Sequence, residues 1–275
     1  MKLHGDSERS NKATQMFLNI MKYMGDLPQA RNSMNTEDIF GPAMKDESLR
    51  DELYCQIMKQ LTENNIQSSE DRGWDLMWLI TGLMAPTQIL MKELQEFLKT
   101  RPQVLAKDSL QRLQKTLKSG NRKQPPYIVE VESIRQRTIQ IFHKIYFPDD
   151  TDEAFQVESS TKAGDLIDLI VKSFKMKSGE GFSLFVKISD KVVSVPEDYH
   201  LFDFIYELVN YFMKSQMPTR TNERNVQFHY QLFFLKKLWI NFTPGRDQVA
   251  DETFYFYQEL PKYLNGYYKV SRNTS

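Results

Sequence analysis

Residues 138–147 read TIQIFHKIYF. Ile139, Ile141, Ile145 and Phe147 fall on one face of an extended chain, with Gln140, Phe142 and Lys144 on the other, which is the two-residue period of a half-buried strand. His143 lies on the apolar face. Upstream the period is helical. In ATQMFLNIMKYMGD the residues Ala13, Met16, Phe17, Ile20, Met21 and Met24 recur at three- and four-residue steps along one stripe, which Gly25 and Pro28 end. ESLRDELYCQIMKQLTENN reads as a helix capped by Ser48, with Asp51 and Glu52 in its first turn and Leu49, Leu53, Ile57 and Leu61 facing inward. Trp74 to Met84 is apolar on nearly every side, as the central helix of a bundle must be. Thr87–Thr100 and Asp108–Ser119 complete about five helices, and SGNRKQPP, residues 119–126, reads as a linker.

Downstream the strand period persists and alternates with helices. The polar turn PDDTD leads to a second strand around Phe155 and Val157, then a helix over residues 161–174. FSLFVKI alternates, Val192–Val195 is a short strand, HLFDFIYELVNYF is amphipathic, and VQFHYQLFF alternates again. The order β-β-α-β-β-α-β predicts a small mixed sheet covered by a helix. A ubiquitin-like roll fits it, as do other α+β arrangements. DQVADETFYFYQEL is one further helix, ended by Pro261 and Gly266, with no later segment to cover it, so either it folds back on the preceding domain or it belongs to a third one that is cut short. The expected fold is thus a mainly α helical bundle (1–125), an α+β ubiquitin-like roll (126–240) and an orphan helix (241–275). From about Phe242 onward the chain is expected to be loosely held, because Phe254, Phe256 and Tyr257 want partners.

Composition excludes several classes of function. Among 275 residues, 36 basic side chains balance 36 acidic ones, so only local charge can select a partner. The lone Cys55 rules out an internal disulfide framework and a thiolate zinc cluster. LMWLITGLMAP, the most apolar run, is about half of the roughly 20 residues a membrane span needs, and MKLHGDSERS lacks a signal peptide's apolar core. These readings together predict a cytoplasmic protein. There is no GxxxxGK[ST] to enclose phosphates, no GxSxG and no HExxH. KSGEGFS reads as a turn, His4, His143, His200 and His229 are far apart, and Asp149 and Asp150 are turn residues. Cys55 beside the core stripe reads as a small buried hydrophobe. We therefore expect no enzyme, no cofactor and no metal site. No apolar heptads persist, so a monomer is expected.

Charge is segregated along the chain. Between residues 92 and 123 nine basic side chains face three acids, and between 149 and 168 seven acids (Asp149, Asp150, Asp152, Glu153, Glu158, Asp165, Asp168) face only Lys162. If Leu110, Leu113 and Leu117 form the core stripe of their helix, Arg112 and Lys115 lie opposite with Lys118 flanking. Together with Arg122 and Lys123 they make the candidate partner-binding face: a solvated surface, or one that meets an acidic partner and is drawn to the acidic stretch. No aromatic residues interleave these positions, which argues against nucleic acid.

LRDELYCQIMKQLTENN, GWDLMWLITGLMAPT and LQRLQKTLKSGNRKQPP, in this order, resemble the myosin tail homology 4 (MyTH4) domain of unconventional myosins. HKIYFPDDTDEAFQVESSTKAGDLIDLIVKSF and EGFSLFVKISDKVVSVPED resemble the ubiquitin-like first lobe of a FERM domain, and PGRDQVADETFYFYQELPKYLNGYY resembles the opening helix of its second lobe, here truncated. The whole is similar to the C-terminal tail of class VII myosins and is expected to be a tail fragment or a short gene product rather than a working motor. That resemblance implies a non-catalytic cargo- and adaptor-binding module linking an actin-based motor to cytoskeletal or membrane-associated partners. The basic face would then take scaffold proteins, microtubules or other acidic surfaces, in the cytoskeleton of actin-rich protrusions. A peripheral lipid-binding FERM-type module is the alternative.

Overall fold

The Asp6 carboxylate accepts the backbone N–H groups of Glu8 and Arg9 and so starts α1, Ser7–Met24, which Gly25 ends in a left-handed cap. The protein is described here from a computed structural model that covers residues 6–28, 36–216, 229–239 and 243–268. It divides into two units, residues 1–141 with Glu158–Ser160, and residues 142–157 with 161–275.

In the first unit α1 is followed by α2 (Glu37–Lys45), α3 (Glu47–Gln60), α4 (Gln67–Leu83), α5 (Gln88–Lys99), α6 (Val104–Ser119) and α7 (Ile128–Arg135). Asp46 caps α3, accepting from the N–H of Ser48 and Leu49, so the cap precedes the expected Ser48 by two residues. The inward residues Leu49, Leu53, Ile57 and Leu61 are all buried, as expected. Cys55 is only half-buried, a correction to its expected place inside, because it lies beside that stripe rather than on it. Every residue from Gly73 to Pro86 is buried, so α4 is the central helix. Two helices lacked a sequence signal: α2 contains Gly41 and Pro42, and α7 has only eight residues. The expected linker is packed inside the unit, with Arg122, Pro125 and Pro126 buried.

The second unit contains β1 (Ile141–Tyr146), β2 (Asp152–Val157), α8 (Ala163–Ser173), β3 (Phe182–Ile188), β4 (Lys191–Ser194), α9 (Leu201–Gln216) and β5 (Tyr230–Lys236). Its sheet order is β2-β1-β5-β3-β4, with β1 parallel to β5 and β3 antiparallel to both β5 and β4. This is the ubiquitin-like roll. Leu184, Val186, Leu232 and Phe234 turn to the core with Leu166, Ile170, Leu201 and Ile205 of the helices. Ile139 stays outside β1 and is exposed, while the expected strand residues Val226–Phe228 lie outside the described residues. His143 is half-buried, its Nε2 lying 2.8 Å from the Tyr230 hydroxyl, and burial lowers its pKa from 6.5 to about 4.

The last helix is not an orphan. A π-helical segment, Ala250–Tyr255, runs into α10, Phe256–Leu264. Phe254 is fully buried, its ring 5.3 Å from those of Phe182 and Phe234 and 5.4 Å from Phe174. The Gln258 amide accepts from the Lys236 N–H at 2.9 Å and donates to the Lys236 carbonyl at 2.6 Å. The expectation of a loosely held segment from Phe242 is therefore overturned for the stretch around Phe254 to Gln258, because one aromatic ring has found a cage in the roll. Phe256, Tyr257, Tyr263 and Leu264 remain exposed. Pro261 lies within α10 instead of ending it, and the left-handed Gly266 follows the helix.

Replacing Phe254 by Ala should cost about 3–5 kcal/mol in chemical denaturation and abolish amide-exchange protection over residues 253–258, whereas Tyr263→Ala should leave both nearly unchanged. Because the unfolded chain takes up a proton on His143 below pH 6.5 and the folded chain does so only near 4, stability present above 6.5 is lost as pH falls towards 4. The His143 contribution should reach about 3 kcal/mol, set against the opposite change from Asp75, whose pKa burial raises to about 6 and which gains stability as pH falls through the same window. It is read as the difference in denaturation midpoints between the protein and His143→Gln across that window, a difference that should shrink towards pH 4.

Candidate partner-binding surface

Helix α6 decides which cations reach solvent. Ala106, Ser109, Leu113 and Thr116 recur at i, i+3, i+7 and i+10 and are all buried, as is Arg112, while Leu110 is half-buried and Leu117 is exposed. The helix is therefore rotated from the expected leucine stripe so that a small, partly polar face lies against α4. Thr116 donates from its Oγ1 to the Thr81 carbonyl at 2.8 Å. Gly82 leaves the room this needs: a Cβ there would lie 2.2 Å from Nη2 of Arg112.

Arg112 fills that space. Its guanidinium lies 3.4 Å from the centre of the Trp78 ring, Nε donates to the Trp78 carbonyl at 3.0 Å, and Nη2 donates to Ser159 Oγ at 2.6 Å. The Trp78 indole N–H in turn donates to Asp108, and the Ser159 hydroxyl to Glu130. Burial pulls the Arg112 pKa from 12.5 down to about 10, against the pull of Glu130 and Asp108 in the opposite direction. Arg122 is buried as well. Its Nη1 lies 3.1 and 3.2 Å from the two carboxylate oxygens of Glu130 and 3.3 Å from the Ser159 carbonyl, and both side chains of this ion pair are wholly covered. The Glu130 carboxylate also accepts the Tyr127 N–H at 2.7 Å.

Arg112 and Arg122 thus leave the candidate face. A guanidinium hydrogen-bonded to backbone and buried carboxylate cannot also meet a partner, so both are corrected from surface cations to core groups. Lys115, Lys118 and Lys123 are exposed. So is Lys107, and Lys107, Gln111, Lys115 and Lys118 fall at i, i+4, i+8 and i+11, one solvent-facing row along α6. Counting from Lys107 instead of from the leucines finds this row in the sequence. Lys118 lies in the last turn, where a cation is favoured by the helix dipole. From the acidic stretch, Glu158 sits 2.5 Å from the Lys115 ammonium, Asp152 pairs with Lys144 at 2.8 Å, and Asp165 accepts the Lys162 N–H. Among the described residues no three His, Cys, Asp or Glu side chains gather as metal ligands, and no helix is long and apolar enough to cross a membrane.

The MyTH4 domain family matches residues 36–133, and the RA-like domain family matches residues 140–238. Myosin-VIIa of Drosophila melanogaster is 54% identical over 98% of this chain, and unconventional myosin heavy chain 6 of Caenorhabditis elegans is 46% identical over 99%. The chain carries a MyTH4 domain followed by an RA-like, FERM-type lobe, and its homologues include class VII myosins. It spans 13% of the length of each of these two relatives. The C-terminal MyTH4–FERM domain of human Myosin 7b, solved in complex with the harmonin-a PDZ3 domain, superposes with a TM-score of 0.89 at 44% identity. That match covers 98% of this chain and 56% of the other. Within this MyTH4–FERM chain the buried arginines belong to the first unit's core and the lysine row of α6 to its surface.

Replacing Arg122 by Met should destabilise the protein by about 3–5 kcal/mol, since Glu130 would keep a buried charge without its ion-pair partner. Lys118→Ala should change stability by less than about 0.5 kcal/mol. Urea unfolding of the two variants checks the difference.

Proposed function

We propose that this chain is a non-catalytic tail module of an unconventional myosin, in which a MyTH4 bundle and a FERM-type lobe recruit adaptor and scaffold proteins to an actin-based motor. The observation that carries the reading is the homology of 98% of this chain to Drosophila myosin-VIIa combined with an exposed lysine row on α6. Adaptor partners are supported by the harmonin-a PDZ3 domain bound to the related human Myosin 7b module. Lys115, Lys118 and Lys123, with Lys107 added and Arg112 and Arg122 removed, are the proposed contact residues for an acidic protein surface, microtubules included. The proposed setting is the cytoskeleton. The absence of a phosphate-binding loop from the sequence supports a module that neither binds nor turns over ATP.

The test is affinity capture with the full 275-residue chain beside a Lys107→Glu, Lys115→Glu, Lys118→Glu variant. Adaptor and cytoskeletal proteins should be retained by the first at low salt and lost from the second, with unchanged thermal stability. Retention of the same proteins by the variant and at high salt would remove the lysine row from the proposal, and ATP turnover by the purified chain would overturn the non-catalytic reading.

A further inference from the structure

The lysine row is already occupied at one place by a carboxylate of the chain itself. Glu158 lies between Val157 and Ser159, each only 1% exposed, and Ser159 is held by Arg112 at its hydroxyl and by Arg122 at its carbonyl. The backbone that carries Glu158 is therefore fixed by the two arginines that the surface lost, and the side chain reaches Lys115 at 2.5 Å. Both ends of this pair are open to water, Lys115 at 50% and Glu158 at 31% side-chain exposure, so an incoming group can replace either one.

We propose that Glu158 is a built-in occupant of an acidic-peptide site formed by Lys107, Lys115 and Lys118, and that it attenuates binding by competing for Lys115. This rests on the lysine row being a contact surface. The fitting partner is a protein segment carrying several carboxylates over about 16 Å, the rise of α6 over the eleven residue steps from Lys107 to Lys118. A carboxylate is favoured over a lipid phosphate because a carboxylate is what Lys115 binds in the structure, and because the cations form a line along one helix rather than a cup. Exposed ion pairs are weak, so the effect of Glu158 on affinity should be a modest tuning.

The experiment measures fluorescence anisotropy of a labelled poly-glutamate peptide, about twelve residues long to span the row, against the full chain at low salt. Glu158→Gln should tighten binding by about two- to fivefold. Lys115→Ala should weaken binding and, combined with Glu158→Gln, remove the gain. Glu93→Gln, the same charge change at an exposed position of α5, should have a smaller effect than Glu158→Gln. Equal tightening by Glu93→Gln reduces the effect to net charge and overturns the inference. Binding that Glu158→Gln leaves unchanged or weaker overturns it while sparing the lysine row. Failure of all variants to bind overturns the row and the inference together. Binding to vesicles containing phosphatidylinositol bisphosphate, with none to the peptide, replaces the acidic-peptide partner by a lipid surface.

Discussion

A guanidinium lies over an indole ring inside a helical bundle, 3.4 Å from its centre, and the orientation of α6 depends on it. Taking Arg112 out of water is unfavourable, which its lowered pKa records. The cation is tolerated because a planar, weakly hydrated guanidinium can lie on Trp78 while its edges bond the Trp78 carbonyl and Ser159. The absence of a side chain at Gly82 lets it approach. With Arg112 turned inward, the helix must present Lys107, Gln111, Lys115 and Lys118 to solvent. The surface chemistry of the unit is thus a consequence of a choice made in its core.

The same logic extends through Glu130. One carboxylate meets Arg122, accepts the Ser159 hydroxyl and caps the start of α7, so three segments of the first unit share a single buried anion. Buried charges of this sort add little stability over an apolar core of equal shape, but each is strongly missed when its partner is removed. Such a network fixes positions. Here it fixes the backbone of residues 158–160, and with it an acid placed against the lysine row.

In the second unit the fixing is done by apolar shape. Phe254 inserts among Phe174, Phe182 and Phe234, and Gln258 pairs with both backbone polar groups of Lys236. Buried Ala250 and Phe254, the Tyr255 ring stacked on Phe182, and the Gln258 amide hold the final segment, while Phe256, Tyr257, Tyr263 and Leu264 stay exposed.

The sequence by itself determined the order of a helical bundle followed by a mixed α+β unit, though not α2, α7 or the packing of residues 119–126. The helical stripe from Ala13 to Met24 and the alternation of TIQIFHKIYF and FSLFVKI each carry a local period that only one type of element satisfies, while Trp74–Met84, apolar on nearly every side, is read as a central helix from its length. The motifs extend over most of the chain, which made the family resemblance legible as well. Tertiary structure alone decided which side of α6 is buried, because three leucines and a row of small residues compete for the core at similar helical spacing. The small residues win by letting α4 come close and by leaving space for Arg112. Periodicity ranks side chains by their transfer from water, so it assigns every arginine to the surface. It cannot see that Trp78, Gly82, Ser159 and Glu130, scattered over more than eighty residues of chain, assemble the one environment in which Arg112 and Arg122 are better satisfied inside.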